Sequence, residues 1–196
     1  MRSQLKFDTK QSQRHSLRLR DYDYSQEGAY FVTICARDKV AILGGIVDGA
    51  IQLNRLENVV NKCWLEIPHH FPNVEVNAFV LMPNHIHGIL VIHDCRGTAC
   101  RAPTEKFGRP TPRSLPTIIR SFKSAVTKRI NALRKTPGAP LWQRNYYEHV
   151  IRNEPDLNEI RQYILDNPVK WGMDENNPDR QINEVQPRGE VICLKR

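Results

Sequence analysis

Residues 74–92 hold two apolar runs folded about one tight turn. Val74, Val76, Phe79 and Leu81 lead into Met82, Pro83 and Asn84 make the break, and His85-Ile86-His87-Gly88-Ile89-Leu90-Val91-Ile92 follows. Neither run approaches the roughly 20 residues of a membrane-spanning helix. Their β-branched content and the short break read as two antiparallel neighbouring strands. An antiparallel sheet is therefore the part of the fold least open to choice. Side chains on a strand alternate faces, so His85 and His87 point the same way. Both imidazoles can reach one divalent metal from a rigid element, with no loop needed to wrap around it.

The other segments supply the partners such a sheet needs. Tyr30-Phe31-Val32-Thr33-Ile34-Cys35-Ala36 reads as a first strand. Residues 42–46 and 51–53 flank Asp48-Gly49, which predicts a hairpin. Leu56, Val59, Val60, Cys63, Trp64 and Ile67 recur at three and four, giving an amphipathic helix over 54–68. A second helix is predicted over 114–134, with Leu115, Ile118, Ile119, Phe122, Val126, Ile130 and Leu133 as its apolar stripe. After Pro137-Gly138-Ala139-Pro140, residues 141–152 read as part loop and part short strand. Asn153 then caps a last helix with Pro155 in its first turn, and Pro168 ends it. Leu157, Ile160 and Ile164 are its core face. Residues 94–113 lack any period and read as a mobile loop. Three parts follow: a basic N-terminal arm over 1–25, a catalytic domain over 26–171, and a polar tail over 172–196.

Charge is unevenly placed on this 196-residue chain of net charge +8. Between Arg96 and Tyr147 the only acid is Glu105, set among many lysines and arginines, and Asp8 is the lone acid of residues 1–20. Arg113, Arg120, Lys123, Lys128 and Arg134 fall on the half of the second helix opposite its apolar stripe. A charged outer face is ordinarily just solvated. Here no acids interleave, and the concentration of charge in an arm and one long segment favours a polyanion, most simply nucleic acid. No apolar signal segment follows the basic start, so a cytoplasmic protein is expected. The five cysteines show no Cys-x-x-Cys spacing and are expected to be reduced. A zinc site of His85, His87, Cys95 and Cys100 is a weaker alternative use of the histidines.

One His-x-His pair is not specific, and two buried, hydrogen-bonded histidines would look the same. The last helix adds a candidate nucleophile. Tyr163 and Asn167 are four apart and share one face, although Tyr163 could equally be a boundary residue of an amphipathic helix. A phenol, with a pKa of about 10, is a poor nucleophile unaided at neutral pH. A divalent cation polarising a phosphodiester makes its attack feasible.

Three stretches together resemble a known family. They are Met82-Pro83-Asn84-His85-Ile86-His87, the run from Trp142 through Arg144-Asn145-Tyr146-Tyr147-Glu148-His149 to Asn153, and Tyr163-Ile164-Leu165-Asp166-Asn167-Pro168-Val169-Lys170. In this order they are similar to the bacterial REP-associated tyrosine transposases, within the single-tyrosine HUH superfamily of insertion-sequence transposases. The resemblance runs from about Tyr22 to Trp171. It implies an α+β, ferredoxin-like domain: an antiparallel sheet with helices on one face and the HUH motif on a central strand. It implies nicking and rejoining of single-stranded DNA at hairpin-forming repeats, through a 5′-phosphotyrosine and a released 3′-OH.

Carried over by position, His85 and His87 are the metal-binding pair and Tyr163 the nucleophile. Asn167 falls where relatives place a third polar ligand, often Gln. Tyr146 and Tyr147 are rival nucleophiles by residue type. The expected metal is Mg²⁺ or Mn²⁺. DNA contacts are expected from Arg120, Lys123, Lys128 and Arg144, with the arm, and from Trp142 stacking on an unpaired base. The partner is single-stranded DNA carrying a hairpin, bound by a monomer in the nucleoid; dimers occur among insertion-sequence relatives. Two other readings stay open: a hairpin-binding protein that no longer cuts, and a metal nuclease that uses water.

Overall fold

Which strands pair follows from where the apolar residues must go. The computed structural model describes residues 22–47, 50–94, 111–174, 176–178 and 180. Strand β1 (Gly28–Cys35) lies between β5 (His85–Ile92) and β6 (Tyr147–Ile151), and β4 (Val74–Leu81) pairs on the outer side of β5. All pairings are antiparallel, in the order β4-β5-β1-β6. The predicted turn at Pro83-Asn84 does join β4 to β5, with Met82 N–H donating to His85 O at 2.8 Å. A separate hairpin, β2 (Gly44–Val47) with β3 (Ala50–Leu53), is inserted after β1. Its Asp48-Gly49 turn lies outside the described residues. Setting that hairpin aside, strands and long helices alternate as in a ferredoxin-like domain, and the histidine strand is central.

Helix α1 (Arg55–Leu65) begins where Asn54 Oδ1 accepts from Leu56 and Glu57 N–H, at 2.8 and 3.1 Å. It ends earlier than the predicted 54–68 span. Pro68 cannot donate within a helix interior, so the chain breaks at Glu66 and restarts as the short α2 (Ile67–His70) with that proline in its first turn. Helix α3 (Leu115–Arg134) matches its periodic stripe, and Lys135 closes it in the left-handed conformation (φ 55°). In α4 (Glu154–Asp166) Asn153 Oδ1 accepts from Asp156 N–H at 2.9 Å, the expected cap.

Period-two alternation divides the sheet into two unequal faces. Tyr30, Val32, Ile34, Ile86, Leu90 and Ile92 turn to one side and meet Val60, Trp64, Ile118, Phe122 and Val126 of α1 and α3 in the main core. Gly88 belongs to this face for a steric reason. A Cβ there would sit 2.4 Å from Trp64 Cζ2, so the indole packs directly on the strand's backbone. On the other face Phe31, Ile89, Ile151 and Ile164 form the smaller buried cluster among the described residues, where α4 lies across the sheet. Helices α1 and α3 thus share one face, as the resemblance implies, and α4 adds cover to the opposite one. That lightly covered side is where the histidines point.

Candidate active site

His85 and His87 face the same side of β5, as alternation requires, and their Nε2 atoms lie 2.9 Å apart. Each ring is held from behind. Asn84 donates both amide hydrogens to carbonyls, Lys39 O at 2.9 Å and Asn176 O at 2.6 Å. Its Oδ1 is therefore the acceptor for His85 Nδ1–H, at 2.8 Å. This assigns His85 the tautomer that leaves an Nε2 lone pair aimed into the site. His87 Nδ1 meets the Thr33 hydroxyl at 2.8 Å, across the register pair Thr33↔His87. When Nδ1–H is donated to that hydroxyl, both Nε2 lone pairs face one space, an arrangement that a divalent cation satisfies. Burial lowers the pKa of both imidazoles to about 3, so both are neutral at pH 7; each ring's lone pair is available for a metal.

Helix α4 brings Tyr163 onto this pair. Its hydroxyl lies 3.3 Å from His87 Nε2, and its ring sits edge-on to His87 and Phe31, with centroids 5.2 and 6.0 Å away. Phe31 stacks on His87 at 5.5 Å and so fills the space beneath both. Tyr163 is 44% exposed, so its ring is open to solvent. A cavity of about 510 Å³ opens here, lined among others by Phe31, Thr33, His87, Tyr147 and Tyr163. Tyr146 also lines it, so both rival tyrosines are nearby, but the hydrogen bond to a motif histidine belongs to Tyr163.

The structure adds a carboxylate that no sequence pattern marked. Asp174 Oδ2 lies 3.7 Å from His85 Nε2, and His85, His87 and Asp174 place one ligand atom each within 4.8 Å of one another. Asp174 stands in the polar tail expected over 172–196; Asn176 of the same stretch caps the Asn84 amide and accepts from the Cys35 thiol at 3.7 Å. Burial raises the pKa of that thiol. Asn167, at the end of α4, is 3% exposed, and its Oδ1 has no hydrogen-bond partner among the described residues. An orphaned buried oxygen beside this helix end is compatible with a ligand role. The chemistry of the converging donor set, two neutral imidazoles and a carboxylate, fits a divalent cation.

The predicted DNA-facing residues separate into two kinds. Arg120, Lys128 and Arg144 are exposed. Lys123, from the same helix face, turns inward: its ammonium donates to the carbonyls of Gln143 (2.5 Å), Asn145 (3.2 Å) and Arg144 (3.4 Å). Burial lowers its pKa to about 8. Trp142 is only 8% exposed and packs against Phe122 with centroids 6.2 Å apart. The arm up to residue 21, the loop over 95–110 with Cys95 and Cys100, and the tail beyond 180 lie outside the described residues. No described helix is long and apolar enough to cross a membrane.

No protein-family model matches the chain. It is 41% identical over 167 residues to an uncharacterized protein of Haemophilus influenzae, covering 83% of this chain and 92% of that relative. It is 28% identical over 151 residues to a second Haemophilus influenzae protein, provisionally named a REP-associated tyrosine transposase, covering 76% of this chain and 75% of the relative. Among solved structures it is similar to a REP-associated tyrosine transposase bound to a REP hairpin. That similarity has a TM-score of 0.55 and 23% identity, over 80% of this chain and 75% of the other, and it supports the antiparallel α+β fold.

Proposed function

We propose that this chain, which belongs to one family with the 41% identical Haemophilus protein and is a relative of the REP-associated tyrosine transposases, nicks and rejoins single-stranded DNA beside hairpin-forming repeats. The observation that carries the reading is the approach of the Tyr163 hydroxyl to His87 Nε2 at 3.3 Å, between residues far apart in sequence. A metal motif and a helical tyrosine thus meet at the wall of a solvent-open cavity.

In this reading the Tyr163 oxygen attacks the phosphorus of the scissile diester, a P–O bond to tyrosine forms, and the P–O bond to the 3′ oxygen breaks. The phenol gives up its proton and the departing 3′ oxygen takes one, so the products are a 5′-phosphotyrosine and a 3′-OH. The diester count is unchanged, so rejoining needs no external energy source. A divalent metal, Mg²⁺ or Mn²⁺, held by His85 and His87 with Asp174 or Asn167, would neutralise charge on the phosphate oxygens. Asn84 and Thr33 orient the two imidazoles, and Phe31 fixes the ring of Tyr163 beside them. The catalytic domain is wider than the expected 26–171, since Tyr24 is buried in its core and Asp174 reaches its site; the part of the 1–25 arm before Tyr22 serves as an added DNA contact. Arg120, Lys128 and Arg144 supply phosphate contacts, which makes binding weaken steeply with salt. The reading takes the chain as a monomer, with a dimer as the alternative that insertion-sequence relatives offer; His87 and Tyr163 of one chain meet without a partner.

Incubation with end-labelled hairpin DNA carrying a single-stranded flank, in Mn²⁺, followed by a denaturing gel, tests this directly. A covalent protein–DNA band is expected, and Tyr163→Phe is expected to remove it while DNA still binds. Retarded but uncut DNA would identify a binding protein. Cleavage that survives Tyr163→Phe would identify a nuclease that uses water.

A further inference from the structure

His149 is the one histidine in the stretch over 142–153, and attack by Tyr163 at a metal held by His85 and His87 gives it no task. On β6 the residues Tyr147, His149 and Ile151 alternate onto the α4 side of the sheet, across from Thr33, Phe31 and Ala29 of β1. The register partner of His149 is therefore Phe31, the ring that packs on both His87 and Tyr163. From this place His149 Nε2–H donates to the Asp156 carboxylate of α4, at 3.0 Å to Oδ2 and 3.3 Å to Oδ1.

Asp156 is the third residue of α4. Asn153 Oδ1 takes its N–H at 2.9 Å, and its own carboxylate reaches back to Arg152 N–H at 3.3 Å. Those two bonds complete the helix start. The bond from His149 is additional and comes from another element, so it fixes the helix to the sheet. Both side chains are partly exposed, and such pairs add little stability. What the pair adds is geometry. Asp156 and Tyr163 are seven apart, which is two turns along one face of the helix and about 10 Å along its axis. The few apolar residues beneath α4 hold it to the sheet but permit sliding and rolling. A swing of about 10° at the Asp156 end moves the far end by about 2 Å. Misplacing a reacting group by about 1 Å costs on the order of 100-fold in rate.

We propose that His149 is a positioning residue for Tyr163: by holding Asp156 to β6 it sets the tilt and roll of α4 that bring the Tyr163 hydroxyl beside His87. This rests on the nicking reading for the reaction that it serves. The helix is then fixed at two points, one at Asp156 and one where Tyr163 meets Phe31 and His87, and two points define an axis where one leaves it free. His149 and His87 stand on the two strands that flank β1, so the nucleophile and the metal pair share one frame.

The test measures the rate of covalent adduct formation at saturating hairpin DNA with Mn²⁺, together with Kd and Tm, for the unmodified protein and its variants. His149→Ala is expected to slow the adduct about tenfold, since the other contacts of α4 remain. Its Kd should stay within about twofold and its Tm within about 3 °C, because a partly exposed pair carries little stability. His149→Gln, whose amide can still donate to Asp156, should recover the rate to within about threefold of the unmodified protein. The double variant of His149→Ala with Asp156→Ala should be no slower than Asp156→Ala alone, as expected of two residues acting through one contact. A loss of Kd that matches the loss of rate would make His149 a DNA contact and overturn the proposal. So would a fall in Tm that accounts for the rate with no rescue by glutamine, or a double variant tenfold slower than Asp156→Ala. Adduct from the unmodified protein at a rate that His149→Ala leaves unchanged removes the positioning role and leaves the nicking reading standing. No adduct from the unmodified protein overturns both.

Discussion

The two faces of the central sheet are built from the same strands and have opposite characters. On one face Tyr30, Val32, Ile34, Ile86, Leu90 and Ile92 disappear under α1 and α3, and even a methyl group at Gly88 has no room. On the other, four buried apolar residues secure α4, and beyond them the face turns polar, with Thr33, His85 and His87 buried and Tyr147 exposed. Adjacent residues of one strand, His87 and Gly88, belong to different regimes. The contrast teaches where each task is placed: one face closes the core, and the other trades apolar contact for an open, hydrogen-bonded site. Substitutions on the first should move stability, and those on the second should move chemistry.

The largest effect tests the first half of that division. Trp64→Ala should cost about 3–5 kcal/mol in urea unfolding, because it leaves a large cavity against Gly88 and Phe122. Ile164→Ala on the α4 side should cost less, and an equal loss would break the comparison. The second half is tested by His85→Ala, expected to slow adduct formation at saturating DNA at least about 100-fold. DNA affinity should stay within about threefold, since the phosphate contacts are elsewhere. Collapse of affinity with activity would make the histidines structural.

A third prediction concerns a group that titrates on the closed face. Glu57, in the first turn of α1, is buried with Oε2 unpartnered among the described residues, and burial raises its pKa to about 7. A carboxyl with a folded pKa above its unfolded one binds more protons in the folded state between about pH 4.5 and 7. Stability therefore falls as pH rises through that window, by about 2 kcal/mol at the usual 1.4 kcal/mol per pKa unit after allowance for partial solvation. Glu57→Gln should flatten that slope in thermal unfolding across the window, with no change in the adduct rate; a slope that persists would move its origin elsewhere.

The smallest effect sharpens how α4 is held. Its apolar contact is small, and Arg161 supplements it: Nε donates to Asn77 Oδ1 at 3.0 Å, where β4 shifts register between Val76 and Phe79. The same oxygen accepts from Ala78 N–H at 3.0 Å, so the bulge itself presents it. Arg161→Ala should reduce the adduct rate about tenfold at saturating DNA, with Kd and Tm little changed and partial rescue by Arg161→Lys. A matching loss of Kd would assign Arg161 to DNA binding instead.

Much of this division was legible in the sequence because it depends on period alone. Alternation put His85 and His87 on one face, and the 3.6-residue repeat placed the stripes of α1 and α3. The caps at Asn54 and Asn153 follow from side chains that bond their own neighbours. What sequence left open depends on tertiary docking. Asp174 and Asn176 sit in a polar stretch with no period, and nothing local says that it folds back onto Asn84 and His85. Lys123 shares a helix face with Arg120 and Lys128, yet the ribbon over 143–145 docks on it alone and turns a solvent-facing lysine into a clamp. Spacing with Asn167 marks Tyr163 as one candidate, but an amphipathic boundary tyrosine has the same local pattern, and it is the resemblance that singles it out.

The central claim is that the phenol of Tyr163, and no other side chain, takes the scissile phosphate. Trapping the complex with Mn²⁺ and hairpin DNA, digesting both polymers and sequencing the modified peptide by mass spectrometry measures that claim. The account predicts a nucleotide remnant on the peptide carrying Tyr163. A remnant on Tyr146 or Tyr147, or cut DNA with no modified peptide, would contradict it.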